Sequence, residues 1–548
     1  MRHLLSFLCI ASLFSCAPEK IDADLLIKNG TIYTVNTDFD VTNAIAVKDG
    51  KILETGKKPE LELKYNFTDV YDAKGQTVLP GLIDAHAHLY NLGISMQQVN
   101  LRGTKSFEEV IERVVAFQKE KNVAYIRGRG WDQNDWEVKE FPNKTLLDSL
   151  FPDTPVALSR IDGHAMIANA KALELAGITT KTKMLGGIVT LDQTERRNPK
   201  LTGLLIDSPM ELVFASYPEE TITSIKNALL DAEAACLSLG LTTIHDAGLN
   251  KNVIDVIDHM QQKDSLKMRV YAMISNSPEN LDYYLTNGII KTDRLNVRSV
   301  KVYADGALGS RGAALKQPYS DQDHHFGAMI TPQEDLKNLA KKIAAAGYQM
   351  NTHAIGDSAN VAVINAYKES IDTTKNMRWR IEHAQIIDTK DFEAFSKNII
   401  PSIQPTHATS DMYWAEDRVG SKRIKGAYAY KTLLDKAEIV ALGTDFPVEK
   451  VNPMHTFYAA VARKDLNKYP EDGYRMEEAL SREQTLKGMT IWAAYAGFEE
   501  KEKGSIEQGK LADFTILDRD IMKIHADSIP KTKVMATFIN GELVYSKH

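Results

Sequence analysis

The sequence predicts an α/β protein built on a (β/α)8 TIM barrel, with a small β-sandwich formed from both chain ends and an insertion after the first barrel strand. Eight short apolar runs alternate with longer helical stretches, which is the order of a barrel of parallel strands. Residues 87 to 241 separate the first two runs, whereas a plain barrel repeat takes about 30 residues. Turn signals near both ends predict the sandwich.

The two chain ends share a pattern of short strands joined by tight turns. Asn29-Gly30 and Asp49-Gly50 lie between apolar runs near the start, and Asn540-Gly541 does so near the end. Such pairs are strong hairpin signals, because Asn, Asp and Gly tolerate the positive φ that the turn needs. We therefore expect residues 17–80 and 501–548 to form the two parts of one β-sandwich.

The barrel is expected to span residues 81–500, with the insertion at about 100–240. A doubly wound open sheet shows the same alternation of strands and helices, so the pattern alone leaves that fold open. The predicted barrel strands are Gly81–His86, Thr242–Asp246, Arg269–Ala272, Ser299–Tyr303, Gln349–His353, Arg378–His383, Ile399–Ile403 and Ile439–Gly443.

Composition excludes some partners. The 548 residues are 43% hydrophobic and 25% charged, with a net charge of -7 and no basic block. A large buried core is therefore expected. A nucleic-acid partner is not expected, because such partners require a basic surface.

The N-terminus reads as a lipoprotein signal peptide over residues 1–16. Arg2 and His3 precede the apolar run Leu4–Phe14, which ends at Ser15-Cys16 and is too short to span a membrane. This predicts an exported protein anchored to a bacterial membrane, on its periplasmic or cell-surface face, only through a lipid on Cys16. An ordinary secretory signal is the alternative. Cys236 would then be left without a disulfide partner, and its helical surroundings predict a buried small side chain.

The clearest chemical signal is Asp84-Ala85-His86-Ala87-His88. Side chains alternate faces along a strand, so His86 and His88 point the same way and can chelate one metal ion. Two surface histidines would show the same spacing. The apolar lead-in and the uncharged residues that follow favour a buried site.

Four further candidates stand at the ends of other predicted strands: Lys301, His353, His383 and Asp445. In a barrel these strand ends converge on one mouth, where active sites lie. Each alone could be a core residue with satisfied hydrogen bonds, but their common placement favours a metal site.

Several motifs together resemble the amidohydrolase superfamily, in the branch called amidohydrolase 3 or YtcJ-like, over nearly the whole mature chain. Two departures from the usual pattern, Ala307 in place of Ser and Gly312 in place of Thr, affect no metal ligand. The matching motifs are Pro80-Gly81-Leu82-Ile83-Asp84-Ala85-His86-Ala87-His88, Arg160-Ile161-Asp162-Gly163-His164, Ala304-Asp305-Gly306-Ala307-Leu308-Gly309-Ser310-Arg311, Thr352-His353-Ala354-Ile355-Gly356-Asp357, Arg380-Ile381-Glu382-His383-Ala384 and Gly443-Thr444-Asp445-Phe446-Pro447.

The resemblance implies a pair of divalent metal ions, expected to be two Zn²⁺ per chain, with iron or manganese as alternatives. His86 and His88 would hold one ion, with Asp445 nearby, and His353 and His383 would hold the other. Lys301, carboxylated by carbon dioxide, would bridge them. In a single-metal enzyme Lys301 would instead be structural.

The implied reaction is hydrolysis of a non-peptide C–N bond in a small amide, N-acyl or N-formyl substrate. A water activated by the metal would attack the carbonyl, and Asp445 would carry its proton to the leaving amine. Hydrolytic deamination on the same scaffold, or a lipid-anchored binding protein without turnover, are the alternatives. Many relatives pair as dimers, so a homodimer is expected.

Five further residues are candidate substrate contacts. Asp162 and His164 come from the insertion, where a hydrogen-bonded core pair is the alternative to a role in orienting substrate. Arg311 could instead cap a carbonyl or pair with Asp305. The remaining two candidates are Trp131 and His407.

Overall fold

A computed structural model describes residues 20–192 and 199–547 of the chain. The predicted signal peptide and Cys16 lie outside these described residues. Within them, no helix is both long and apolar enough to cross a membrane.

The described residues form three sheets. The strands, numbered along the chain, are β1 (Ile21–Tyr33), β2 (Val41–Lys48), β3 (Lys51–Gly56), β4 (Tyr65–Asp72), β5 (Thr77–Pro80), β6 (Leu82–Ala87), β7 (Val99–Asn100), β8 (Ile126–Trp131), β9 (Val156–Arg160), β10 (Ala165–Ala168), β11 (Gly187–Asp192), β12 (Lys200–Asp207), β13 (Leu241–Leu249), β14 (Arg269–Ser275), β15 (Ile290–Lys291), β16 (Leu295–Tyr303), β17 (Gln349–Ala354), β18 (Trp379–His383), β19 (Ile399–Ile403), β20 (Ala441–Leu442), β21 (Phe514–Leu517), β22 (Val534–Ile539) and β23 (Glu542–Ser546).

The α-helices are mostly short and lie between these strands. They are α1 (Lys58–Lys64), α2 (Leu89–Met96), α3 (Phe107–Lys121), α4 (Thr145–Leu150), α5 (Ala170–Leu175), α6 (Met210–Ala215), α7 (Ile222–Ser238), α8 (Lys251–Gln262), α9 (Pro278–Asn287), α10 (Gln333–Ala345), α11 (Asp357–Ser370), α12 (Pro405–Asp411), α13 (Ala415–Arg423), α14 (Tyr430–Ala437), α15 (Pro453–Ala462), α16 (Arg482–Gly488) and α17 (Ile491–Ala496).

The predicted barrel is confirmed. Its parallel strands follow the order β20-β19-β18-β17-β16-β14-β13-β6, and each contains or overlaps one of the eight predicted runs. The first and last strands meet through the segment that follows β20: the amide of Asp445 donates to the carbonyl of His86 at 2.8 Å, and that of His88 donates to Phe446 at 2.9 Å. These bonds join the two edges, which an open doubly wound sheet would leave apart.

Strands from both chain ends form a separate sheet of order β23-β22-β21-β5-β1-β2-β3, in which β4 also pairs with β1. The two ends join where β5 pairs with β21, with Val78 opposite Ile516. A buried ion pair connects this sheet to the barrel, because Arg269 on β14 donates to Asp513 at 2.7 and 3.0 Å.

Between β6 and β13 the chain forms a six-stranded sheet of order β11-β12-β10-β9-β8-β7. This insertion has cores of its own, one of which includes Val99, Trp131 and Leu158. Cys236 on α7 is buried in the barrel core. Burial raises the pKa of its thiol well above the usual value, so Cys236 is an inert apolar side chain, as predicted.

Candidate metal centre

A cavity of about 380 Å³ opens at the carboxyl ends of the barrel strands. The histidines, the lysine and the aspartate predicted as ligands all line it, although they come from strands far apart in the chain. They are His86 on β6, His88 after it, Lys301 on β16, His353 on β17, His383 on β18 and Asp445 after β20.

Asp445 is at the centre of these residues. Its Oδ1 lies 3.2 Å from Nε2 of His88 and 3.7 Å from Nε2 of His86, and its Oδ2 lies 3.6 Å from Nε2 of His407. Burial alone would raise the pKa of Asp445, but His88 and His86 hold it well below the usual range. One carboxylate therefore faces two sets of imidazole nitrogens.

The described residues include two sets of potential metal ligands, and within each set the ligand atoms lie within 4.8 Å of one another. The first set is His86, His88 and Asp445, and the second is His383, His407 and Asp445. His407 on α12 thus joins the second set, where sequence reasoning expected His353. The rings of His383 and His407 are stacked, 5.8 Å apart.

His353 stands beside the second set without belonging to it. Its ring lies 4.5 Å from that of His383, and its buried Nε2 has no hydrogen-bond partner among the described residues. Burial and the nearby Lys301 ammonium lower the pKa of His353 to about 3. The neutral ring therefore keeps a free ligand atom close to the other ligands.

Lys301 is fully enclosed. Its Nζ lies 3.1 Å from Nε2 of His86, and burial lowers the pKa of the ammonium to about 8 despite the neighbouring Glu382. A lysine with a lowered pKa provides more of the neutral amine, which is the nucleophilic form.

The backbone adopts an uncommon conformation at two of the ligands. His383 has φ of 72° and Asp445 has φ of 62°, values that side chains other than glycine adopt at a cost. Such strain persists only where the surrounding structure imposes it. Here it aims both side chains into the cavity, because His383 is the last residue of β18 and Asp445 follows the end of β20.

His86 is held in place by the buried charged side chains of Glu382 and Arg380. Nδ1 of His86 lies 2.5 Å from Glu382, and Nε of Arg380 lies 2.8 Å from the same carboxylate. Burial would raise the pKa of Glu382, but Arg380 and His86 lower it well below the usual range. The carboxylate thus fixes the proton of His86 on Nδ1 and leaves Nε2 free for a metal ion.

The same arrangement recurs at the other ligand set. Nδ1 of His383 lies 2.7 Å from the amide oxygen of Gln404, which can only accept, so Nε2 of His383 carries the lone pair. Burial lowers the pKa of His383 well below its usual value and that of His86 to about 4. Neutral imidazoles are the form that binds metals.

These residues fit a divalent metal site. Asp445 Oδ1 and the Nε2 atoms of His353 and His407 are buried without hydrogen-bond partners among the described residues. Unpartnered buried polar atoms are rare unless an ion or water satisfies them. A set of imidazoles with one carboxylate suits zinc, iron or manganese.

Residues 69–545 match the family model of the amidohydrolase family. This chain belongs to the amidohydrolase family.

Several relatives cover almost the whole of this amidohydrolase. Protein LONG AFTER FAR-RED 3 of Arabidopsis thaliana is 33% identical over 96% of this chain and 92% of its own length. The putative amidohydrolase YtcJ of Bacillus subtilis is 32% identical over 94% and 98%. The N-substituted formamide deformylase of Arthrobacter pascens is 25% identical over 96% and 98%.

A solved structure has the same architecture. An uncharacterized metal-dependent hydrolase from Pyrococcus horikoshii is 29% identical, with a TM-score of 0.74 over 92% of this chain and 99% of its own. The family and this likeness identify the amidohydrolase as a metal-dependent hydrolase acting on small molecules.

Trp131 is not brought to the cavity. It is completely buried in the core of the insertion, where its indole donates to the carbonyl of Leu158 at 2.7 Å and packs against Trp136. Trp131 therefore does not contact the cavity as predicted, because its ring is buried in the core of the insertion.

Arg311, Asp162 and His164 also lie outside the cavity lining. Arg311 makes a two-fold ion pair with Asp321, at 2.8 and 3.1 Å, and does not pair with Asp305. Asp305 instead accepts from buried backbone amides.

The insertion pair is not a core pair either. Asp162 pairs with Arg160, and the exposed His164 lies 2.8 Å from Asp207. Among the five predicted substrate contacts, only His407 lines the cavity.

Sequence reasoning overlooked Glu382 and Gln404. A signal for Glu382 was available: Arg380 and Glu382 are two residues apart on a predicted barrel strand and so lie on the same face, where buried charged side chains must pair. Gln404 gave no such signal. Its role depends on its distance from His383, which no local pattern encodes.

Proposed function

We propose that this amidohydrolase hydrolyses a non-peptide C–N bond of a small amide, N-acyl or N-formyl compound. The observation that carries the proposal is the position of Asp445, whose buried Oδ1 lies 3.2 Å from Nε2 of His88 and 3.7 Å from Nε2 of His86 and has no hydrogen-bond partner among the described residues. A carboxylate so placed can hold a proton taken from water and pass it to a leaving group.

Bound divalent ions would supply Lewis acidity, polarising the substrate carbonyl and lowering the pKa of water. We propose that the protein binds two zinc ions per chain. The ions would be held by His86, His88, His353, His383 and Asp445, and His407 lies beside these ligands. The chain's own part is to fix these ligands through Glu382 and Gln404, and to receive and return one proton at Asp445.

We also propose that Lys301 is carboxylated. The Lys301 ammonium would first lose one proton to give the neutral amine. The amine nitrogen would then form a bond to the carbon of carbon dioxide and release a second proton, which gives an anionic carbamate. The change removes a positive charge 3.1 Å from Nε2 of His86, where a cation would be repelled. A carbamate offers two oxygens and can bridge two ions.

The walls of the cavity favour an amide over a highly charged substrate. Leu308, Ile355, Trp414 and Val448 form much of the lining, and such apolar surfaces suit the carbon groups flanking a carbonyl. The formamide deformylase among the relatives acts on a substrate of this class. We therefore place N-acyl and N-formyl amines first among candidate substrates.

Metal analysis of the purified protein tests the centre. We expect about two zinc ions per chain, with partial loss in His86→Ala and in His383→Ala, which belong to different ligand sets. One ion per chain would remove the need for a carbamate at Lys301. No bound metal after reconstitution with zinc would contradict the proposal.

Turnover tests the reaction. With a panel of N-formyl and N-acetyl amines, Asp445→Asn should lower kcat by at least about 100-fold, since general acid–base groups contribute about 10² to 10⁴. Unchanged kcat would rule out Asp445 as the proton carrier. Release of an amine supports amide hydrolysis, whereas release of ammonia from a ring amine would indicate a deaminase.

We further propose that the protein is exported and lipid-anchored through Cys16, and that it forms a homodimer. Both rest on the sequence, since Cys16 lies outside the described residues. Mass spectrometry of the mature N-terminus, compared with Cys16→Ser, tests the anchor: an unmodified Cys16 would contradict it. Light scattering of the purified protein tests the dimer.

A further inference from the structure

A second cavity lies beside the metal centre. It has a volume of about 430 Å³ and is lined by Pro447 and by Asn91 on α2. Asp445 and Val448, on either side of that proline in the chain, line the metal cavity. The two cavities therefore lie next to each other along the loop that follows β20.

Two arginines of the insertion face this second cavity: Arg102, which follows β7, and Arg129 on β8. Their strands are neighbours, since β7 pairs with β8 and the amide of Leu101 donates to the carbonyl of Arg129 at 2.9 Å. Both side chains are exposed, so a ligand in the cavity can reach them.

Neither guanidinium has a hydrogen bond or an ion pair with any residue that the structure describes. Acidic groups nearby are already in use: Asp132 and Asp162 pair with Arg160. No aspartate or glutamate lines the cavity. The cavity therefore contains two positive charges without a counter-charge.

Other groups in the cavity also suit an anion. Asn91 and Gln98 line it, and their side-chain amides make no hydrogen bond within the described part of the chain. They offer neutral N–H donors beside the two guanidinium groups, and guanidinium is the side chain that matches the geometry of a carboxylate.

A glycine lies against each of the two arginines. Gly130 has φ of 114°, and a Cβ there would lie 2.6 Å from Cγ and 2.9 Å from the backbone nitrogen of Arg102. Gly163, in the Arg160–His164 motif, lies close to Nη2 of Arg129: a Cβ on it would be 3.7 Å away. These insertion motifs, which the metal centre does not use, therefore pack against the two arginines of the second cavity.

We propose that Arg102 and Arg129 bind a carboxylate of the substrate, so that the amide cleaved at the metal centre belongs to an N-acylated amino acid or a similar amide-bearing acid. This inference rests on the proposed function for the cleaved bond. The binding of a carboxylate can nevertheless be measured without turnover.

The experiment uses the zinc-loaded protein and N-acetyl derivatives of straight-chain amino acids, from glycine to 6-aminohexanoate, each beside its neutral primary amide. Calorimetry gives Kd, and assay of free amine gives KM and kcat. We expect at least one acid to bind about tenfold to hundredfold more tightly than its amide, because hydrogen bonds to charged groups contribute about 1.5–3 kcal/mol. The best chain length reports the separation of the two subsites.

Arg102→Gln and Arg129→Gln should each reduce this preference, raising Kd and KM for the acid while changing kcat little. Lys171→Gln is the matched control, because it removes one positive charge from the insertion at a residue whose ammonium pairs with Glu174. The control should keep the preference for acids.

The outcomes separate the two proposals. Cleavage of the neutral amides without any preference for acids overturns the carboxylate subsite and keeps the proposed reaction. Arginine-dependent binding of acids without cleavage supports the subsite and counts against the reaction. A preference that persists in the Arg102→Gln/Arg129→Gln double variant, or no binding of any acid, overturns the subsite.

Discussion

Glu382 is the residue that connects the buried charges of the barrel with the metal ligands. It lies between Arg380, at 2.8 Å, and Nδ1 of His86, at 2.5 Å. Arg380 in turn lies 3.1 Å from His245. The chain thus stabilises an anion inside the barrel and uses it to orient an imidazole.

Glu382→Gln should lower zinc affinity. The substitution keeps the shape of the side chain but removes the charge that makes His86 a stronger ligand, and loss of such a partner lowers metal affinity by about 10- to 100-fold. Competition with a chromogenic chelator measures the Kd for zinc. Wild-type affinity in Glu382→Gln would show that the charge of this carboxylate does not affect the metal site.

A control separates this effect from general destabilisation. Glu499 is also a buried carboxylate in ion pairs, with Lys291 at 2.6 Å and Lys503 at 2.8 Å, but it does not contact the metal ligands. Glu499→Gln should lower stability while leaving zinc affinity at the wild-type value.

At the scale of elements, the join between β6 and β20 positions two of the ligands at once. Asp84 on β6 accepts from the hydroxyl of Thr444 at 2.7 Å and from the amide of His86 at 3.1 Å. Gly443 packs directly against this strand. The closure of the barrel and the approach of Asp445 to His86 are therefore one structural feature.

Gly443→Ala should weaken both closure and metal binding. An added Cβ would lie 2.5 Å from the nitrogen of His86 and 2.8 Å from Oδ1 of Asp84, so the backbone must shift. Overpacking of this kind costs about 1–3 kcal/mol. Urea unfolding and zinc content per chain measure the two effects.

Gly56→Ala is the comparison for this substitution. Its Cβ would meet its nearest neighbours at 3.5 and 3.7 Å, which is ordinary contact. We expect no loss of stability or zinc there. Equal results for the two variants would show that the close packing of Gly443 is not needed for closure.

At the scale of the whole molecule, buried ion pairs make stability depend on pH. Burial would raise the pKa of Glu499, but Lys503 and Lys291 lower it from 4.5 to about 2. The folded state thus favours the ionised carboxylate. Its stabilisation is complete above pH 4.5 and is lost as the pH falls from 4.5 towards 2.

Glu499→Gln should therefore lower the free energy of unfolding above pH 4.5 by about 3–5 kcal/mol, since it breaks a buried pair. The difference from wild type should shrink below pH 4.5, as measured by urea unfolding across that range. Glu502→Gln is the control: it pairs with the same Lys291 at 2.9 Å but is exposed, so about 1 kcal/mol at most is expected. A constant difference at all pH values would contradict the ionised state of Glu499.

Local sequence patterns were enough to predict the barrel, the sheet made from both chain ends, and the cavity-lining residues at or just after strand ends: His86, His88, Lys301, His353, His383 and Asp445. These follow from local information: apolar runs bounded by turns, and polar side chains at strand ends. Parallel strands of a barrel bring such ends together whatever their separation in the chain.

Which of these groups contact one another depends on the packing of the whole chain. Glu382 and His86 are 296 residues apart, and the stacking of His407 on His383 depends on how α12 packs after β19. The burial of Trp131, the pairing of Arg311 with Asp321, and the unpaired Arg102 and Arg129 also depend on contacts between distant segments. Local patterns fix strands and faces, whereas hydrogen bonds and ion pairs depend on distances of a few ångströms, which packing of the whole chain sets.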